Sequence, residues 1–264
     1  MKVAMASSPG HAGRPNEDFV GAVPGAVVLL DGAGIKGTEE ICRHGVAWHS
    51  HTLGATLLRR LAAGGETDLV GALAESIEQV ADLHRHTCDL ADPSSPQSTV
   101  AIVRCAEDRA DFLVLADSYI ALDQSDAGPE VVTDPRELAV RSECLTSLHG
   151  LTAGSPEYER ALPAVIDALR SRRNQPGGYW IAKDDPEAAL QSVTGSMPLE
   201  ALAGAGLLSN GASRIVDPYR LAEWPHVVEL LRTSGPAEVL RRVREAESEP
   251  TRGSDDASAA YFAL

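Results

Sequence analysis

Val27-Val28-Leu29-Leu30-Asp31-Gly32-Ala33-Gly34 is a short apolar run that breaks at a carboxylate followed by glycine. A β-branched and leucine-rich run of this length reads as a strand, and the Asp-Gly step as the turn that ends it. Three further acidic turns lie beside apolar runs: Arg14-Pro15-Asn16-Glu17-Asp18, Leu113-Val114-Leu115-Ala116-Asp117-Ser118 and Ser254-Asp255-Asp256-Ala257-Ser258. Strand ends from distant parts of a chain meet at one rim of a sheet, so these turns are expected to gather their carboxylates there. Carboxylates gathered without lysine or arginine repel one another. Hard divalent cations such as Mg²⁺ or Mn²⁺, which take oxygen ligands, relieve that repulsion.

Outward from the first turn, the pattern becomes helical from about Thr38 to Ala63, where Ile41, Val46, Trp48, Leu53, Leu57, Leu58 and Leu61 recur at helical spacing. A second helix is expected from Asp68 to about Cys88. Strands follow at Ser98–Cys105, Asp111–Ala116, Tyr119–Asp123 and Glu130–Thr133, joined by short polar turns. From Pro135 to about Arg173 the chain reads as helical with an interruption near Thr152–Pro156, where Ser155 is placed to cap a new helix. Later strands are expected at Gln191–Leu199, Ala203–Ser209 and Ala257–Ala263, and helices at Trp224–Thr233 and Pro236–Glu247. Strands and helices that run in separate blocks argue an α+β chain with antiparallel sheets, here a four-layer αββα sandwich.

The chain has 264 residues, 44% of them hydrophobic, and no long Pro/Ser linker divides it, so one domain over 1–264 is expected. With 23 basic and 38 acidic residues the net charge is −15, which opposes nonspecific attraction to nucleic acid or anionic membranes. Met1 to Pro9 lacks the apolar core of a secretory signal, and no apolar stretch approaches the roughly 20 residues of a membrane span. A cytoplasmic protein is expected. Cys42, Cys88, Cys105 and Cys144 form no C-x-x-C pair, so neither a zinc knuckle nor a redox dithiol is expected, only reduced, mostly buried thiols. His49/His51 and His84/His86 stand at i, i+2, where helical side chains diverge rather than share a metal.

In their order and context the turns resemble the motifs of the metal-dependent protein phosphatases of type 2C, in particular a bacterial, actinobacterial-like member. Arg14 to Asp18 is similar to that family's first motif, Asp31-Gly32 to its metal-bridging Asp-Gly, and Ser98-Thr99-Val100-Ala101 to its Thr-containing strand. Ala116-Asp117-Ser118 is similar to Gly-Asp-Ser, Leu207-Leu208-Ser209-Asn210-Gly211 to the strand end with Ser-Asp-Gly, and Asp255-Asp256-Ala257 to the closing Asp-Asp-Asn. The resemblance implies the αββα sandwich and two Mn²⁺ or Mg²⁺ ions, with a third, weaker one in bacterial members. It implies Asp31 as the bridging ligand, Gly32 as a main-chain ligand, and Asn210 and Asp256 at the positions of further ligands. Asp117 would serve the third ion, Glu17 and Asp18 would orient waters, and Arg14 would clamp the phosphate. A flap-like segment at about 134–185 is expected to carry Arg173, Tyr179 and Trp180, either facing substrate or packed inward as an ordinary turn.

The sequence departs from the family at three places. The spacing from Arg14 to Glu17-Asp18 is one residue shorter than usual. Asn210 stands where the family has a metal-binding aspartate, which implies an engineered substitution, a naturally weaker site or a pseudophosphatase. Ala33, Ile35 and Lys36 occupy places where many relatives carry the histidine that protonates the leaving group, and His44 is the candidate replacement. The implied activity is hydrolysis of phosphoserine or phosphothreonine in proteins. The alternatives are a phosphatase of a small phosphorylated metabolite and a catalytically weak phosphoprotein-binding protein.

Overall fold

The structure, a computed structural model, describes residues 2–34, 41–64, 68–248 and 253–264. In chain order the strands are β1 (Lys2–Ser8), β2 (Phe19–Val23), β3 (Ala26–Leu30), β4 (Gly32–Ala33), β5 (Gln97–Ser98), β6 (Val100–Ala106), β7 (Arg109–Leu115), β8 (Tyr119–Gln124), β9 (Glu130–Val132), β10 (Val193–Pro198), β11 (Leu202–Leu208) and β12 (Ala257–Ala263). The helices are α1 (Gly45–Ala63), α2 (Leu69–His84), α3 (Arg136–Leu145), α4 (Pro156–Ser171), α5 (Asn210–Ser213), α6 (Trp224–Thr233) and α7 (Pro236–Glu247).

Every residue of β3 is buried, because both of its faces are covered. Val27 and Leu29 point into a layer shared with Ala101, Val103, Phe112, Val114, Ile120, Leu207 and Phe262, between two sheets. Val28 and Leu30 point the other way, onto Leu53, Leu57, Leu73 and Ile77 of α1 and α2. The period of two along a strand thus sends alternate residues into two different cores. The opposite sheet does the same: Ala121, Leu208, Ala259 and Tyr261 meet Val227, Leu231, Val239 and Val243 of α6 and α7. The result is four layers, helix on sheet on sheet on helix, as expected from the sequence.

One sheet runs β1-β12-β11-β8-β9 and the other β10-β7-β6-β3-β2, with β4 and β5 forming a small ribbon beyond the end of β3. All pairs are antiparallel, with registers such as Leu29↔Ala101 and Gly206↔Tyr261. Asp68 caps α2 by accepting the Gly71 N–H at 2.7 Å, and Ser155 caps α4 by accepting from Tyr158 at 3.2 Å, with Pro156 opening the helix.

Three elements differ from expectation. Helix α1 begins at Gly45 rather than near Thr38: the Gly45 N–H turns back to the Cys42 carbonyl with Gly45 at φ 78°, which is not helical. Thr38 itself lies outside the described residues. Strands β1 and β2 had no clear signal, and β1 takes its conformation from full-length pairing with β12. No helix among the described residues is long and apolar enough to cross a membrane.

Candidate active site

The antiparallel order brings the end of β3, the β7–β8 turn, the end of β11 and the starts of β2 and β12 to one rim of the sandwich. The turn at Asp31 is held from both sides by Thr99. The Thr99 N–H donates to the Asp31 carbonyl at 2.9 Å, and the Asp31 N–H donates to Thr99 Oγ1 at 3.2 Å. The same hydroxyl lies 2.5 Å from Ser118 Oγ, so one buried threonine ties the turn of Asp31 to that of Asp117. Ala116, at φ 64°, presents Asp117 from the left-handed region, which explains glycine in the resembling motif. Gly32 has no room for a side chain, since a Cβ would collide with the Glu17 carbonyl and with Val46 of α1.

Asn210 stands between two of the carboxylates. Its backbone N–H donates to Asp31 Oδ2 at 2.9 Å, and its side-chain Nδ2 donates to Asp117 Oδ2 at 2.8 Å. Asp18 is 3% exposed, and neither of its oxygens has a hydrogen-bond partner among the described residues, although the Ser209 and Ser258 hydroxyls are near enough to favour its charge. Ser209 Oγ accepts from the Ser258 N–H, and Ser258 Oγ bonds Ser7 Oγ.

Electrostatics follow from this crowding. Burial, then Asp18, Asp117 and Asp255, push the Asp31 pKa well up, against the Asn210 N–H. Burial raises Asp18 to about 7, with Asp256 and Asp255 adding to the rise. Asp117 is also raised to about 7, by burial and then Glu137, with Arg141 and Asn210 opposing. Glu17 is raised by burial, then by Asp256 and Asp255, while Arg14 pulls it down from its exposed loop. Among the described residues no lysine or arginine pairs with Asp18 or Asp31, and Arg141 stays 3.9 Å from Asp117. Orphaned, mutually repelling hard oxygens are the donor set that Mg²⁺ or Mn²⁺ takes.

The two terminal aspartates differ in their surroundings. Asp256, placed on a metal by the resemblance, is oriented by two backbone amides: Oδ1 accepts the Gly10 N–H at 2.7 Å and Oδ2 the Glu17 N–H at 2.6 Å, and each oxygen keeps a lone pair for a cation. It clips β12 to the loop before β2, and a Cβ on Gly211 would collide with its carbonyl. Asp255 is 53% exposed and accepts from Arg214 at 2.6 Å, while its charge adds to the rise at Asp31.

The flap residues turn inward. Tyr179 is 2% exposed with its hydroxyl accepting from Arg173 Nε at 3.0 Å, Arg173 Nη1 donates to the Pro93 carbonyl at 2.7 Å, and Trp180 packs on the core under α1 and α2. The arginine is used up holding that turn, so the inward alternative is the one found. His44 is also elsewhere: its ring stacks on Trp48 and its Nδ1 faces Cys42 and Cys88, none of them a carboxylate. Ile35 and Lys36 lie outside the described residues.

These shifts set a pH dependence. A carboxylate whose pKa is raised on folding destabilises the fold progressively from its unfolded value of about 4 up to its folded value. That window extends to about 7 for Asp18 and Asp117. His49 and His84, lowered to about 4 by burial, act in the opposite sense below their unfolded value of about 6.5, where stability rises with pH. Above about pH 6.5 only the carboxylates remain. The rise in melting temperature caused by Mn²⁺ is therefore expected to be small at about pH 5.5 and to grow to roughly 5 °C or more by about pH 8. A Mn²⁺ shift that is equal across this range would show that the carboxylates are not its ligands.

Comparison with known proteins agrees with this geometry. The family model described as Protein phosphatase 2C matches residues 7–239. No curated protein sequence matches the chain at a significant level. Among solved structures, the serine/threonine phosphatase Stp1 from Staphylococcus aureus is 15% identical, with a TM-score of 0.62 and 100% of this chain covering 94% of that one. PstP/Ppp from Mycobacterium tuberculosis is 19% identical at a TM-score of 0.61, covering 100% and 98%. PppA of Pseudomonas aeruginosa is 21% identical at 0.61, covering 100% and 97%. At these identities the structures speak for the fold, and the family model over most of the sequence for the lineage: the chain belongs to the protein phosphatase 2C family.

Proposed function

We propose that the chain is a metal-dependent phosphomonoester hydrolase acting on phosphoserine or phosphothreonine in proteins. The observation that carries this reading is the pair of buried oxygens of Asp18, without a hydrogen-bond partner among the described residues, in a cluster with Asp31, Asp117 and Asp256. Asp31 and Asp256, with the main chain of Gly32, would hold Mn²⁺ or Mg²⁺, and Asp117 with Asn210 a further, weaker ion. Bound there, divalent ions neutralise phosphoryl oxygens and make water acidic enough to serve as the nucleophile. Glu17 and Asp18 would accept hydrogen bonds from such a water and orient it. Arg14, close enough to lower the Glu17 pKa, offers a planar fork to the phosphate.

A cleft of about 540 Å³ opens beside Asn210 between Arg141 and Arg214, walled by Tyr119, Tyr219 and Trp224, and is wide enough for a peptide side chain and its neighbours. Tyr179 and Trp180 pack inward, so neither offers an exposed ring to a small metabolite. Asn210 favours the other reading, a weak enzyme that binds phosphoproteins. Phosphate release with Mn²⁺ from phosphoserine and phosphothreonine peptides, set beside a panel of small phosphorylated metabolites, separates the three. Turnover of peptides is the expected result. Turnover of metabolites alone, or tight peptide binding without turnover, overturns it.

A further inference from the structure

Away from the carboxylates, where α1 begins and α2 ends, four soft side chains converge: Cys42, His44, His84 and Cys88. One ligand atom from each lies within 4.8 Å of all the others. Cys42 Sγ is 3.6 Å from His84 Nδ1 and 3.8 Å from His44 Nδ1, and Cys88 Sγ is 3.3 Å from His44 Nδ1. A tetrahedral zinc ion, with Zn–S of about 2.3 Å and Zn–N of about 2.0 Å, spaces neighbouring sulfur and nitrogen ligands about 3.6 Å apart. We propose that this Cys₂His₂ cluster is a structural Zn²⁺ site.

Hydrogen bonding alone accounts poorly for the cluster. Two imidazoles turn the same nitrogen, Nδ1, toward sulfur atoms that are weak donors and weak acceptors. Cys42 and His84 do so while 1% and 2% exposed. Zn²⁺ with two thiolates and two neutral imidazoles carries no net charge, and replaces two thiol protons released to water. The rings of Trp48 at 4.4 Å from His44 and 4.9 Å from His84 wall the cluster, and the Asp89 N–H bonds the Ile41 carbonyl at 2.8 Å beside it. Soft thiolate and imidazole donors select zinc over the Mg²⁺ or Mn²⁺ suited to the carboxylate rim.

Such a site would tie the start of α1 to the end of α2. Helix α1 in turn supports the active site: Ser50 Oγ donates to the Glu17 carbonyl at 2.5 Å, and His51 Nε2 bonds the Asp18 carbonyl at 2.9 Å. Elemental analysis of the chain purified in reducing, chelator-free buffer is expected to find about one zinc per chain. Cys42→Ser with Cys88→Ser should lose it and lower the melting temperature, whereas Asp31→Asn should keep it. Because the double variant can fail to fold, Co²⁺ loading of the unaltered chain gives a second readout: a thiolate-to-cobalt charge-transfer band, which demands sulfur ligation, together with intense visible d–d bands, which demand a tetrahedral site. A chain that holds no zinc as purified and binds none when Zn²⁺ is added to the reduced protein overturns the proposal. So does zinc retained by the folded double variant, or a Cys42–Cys88 disulfide that persists under reduction.

Discussion

Asp31→Asn is expected to lower phosphatase turnover by about 10³-fold, or about 4 kcal/mol of transition-state stabilisation, and at the same time to make the metal-free protein more stable. The two effects have one cause. Asp31 sits among Asp18, Asp117 and Asp255, and its raised pKa measures how much the fold resists its charge. An amide of the same shape keeps an oxygen to accept the Asn210 N–H, now 2.9 Å from Oδ2, so the turn held by Thr99 should survive. What disappears is one negative charge, which relieves repulsion by about 1 to 2 kcal/mol and raises the metal-free melting temperature by a few degrees. The same lost charge weakens the hold on Mn²⁺, so the thermal shift caused by the ion should largely vanish. Thermal melts with and without Mn²⁺, together with phosphate release, check all three parts. A variant that melts lower than the original without metal would mean that Asp31 stabilises the fold, and would contradict the electrostatic reading of the rim.

How much of this was legible beforehand depended on the physical kind of signal. Helices α6 and α7 and strand β12 begin and end where the pattern put them, because Pro225, Pro236 and the apolar run from Ala257 mark them locally. Strand β3 was legible because burial on both faces demands an unbroken apolar run. Strand β1 was not: Lys2–Ser8 has one β-branched residue, and its conformation comes from pairing with the far end of the chain. The start of α1 was misplaced because Ile41 fits the helical period while Gly45, in the left-handed region, breaks the helix before it.

The site divides in the same way. Asp31, Asp117 and Asn210 were locatable because each sits at a strand end, where the last apolar residue fixes the position. Asp255 and Asp256 precede β12 on irregular backbone, where no period says which of them faces solvent, and the Gly10 and Glu17 amides that orient Asp256 come from the far end of the chain. The cysteine–histidine cluster escaped notice because a search for paired cysteines tests one spacing only. Cys42-x-His44 and His84-x-x-x-Cys88 each look like unrelated residues until two helix ends bring them together. Histidines at i, i+2 on one helix do diverge, as expected: His49 faces the Lys183 carbonyl and His51 that of Asp18.

Asn210→Asp is expected to tighten Mn²⁺ by tenfold or more, about 1.4 kcal/mol, and to raise turnover at limiting metal. The amide now donates Nδ2–H to Asp117 at 2.8 Å, so in the metal-free protein it quiets one carboxylate of a crowded rim. A carboxylate at that position turns the hydrogen bond into a repulsive contact and adds a charge to a site where Asp18 and Asp117 are already raised to about 7. The metal-free variant should accordingly melt several degrees lower, and Mn²⁺ should restore more than that loss, because a cation gains from the new charge what the empty site loses by it. Asp31→Asn and Asn210→Asp thus move metal-free stability and metal affinity in opposite directions, and each is a control for the other. Calorimetric titration of Mn²⁺ into both forms decides the matter. Equal affinities would remove Asn210 from the ligand set and leave its two hydrogen bonds as a purely structural bridge between the β3 and β7 turns.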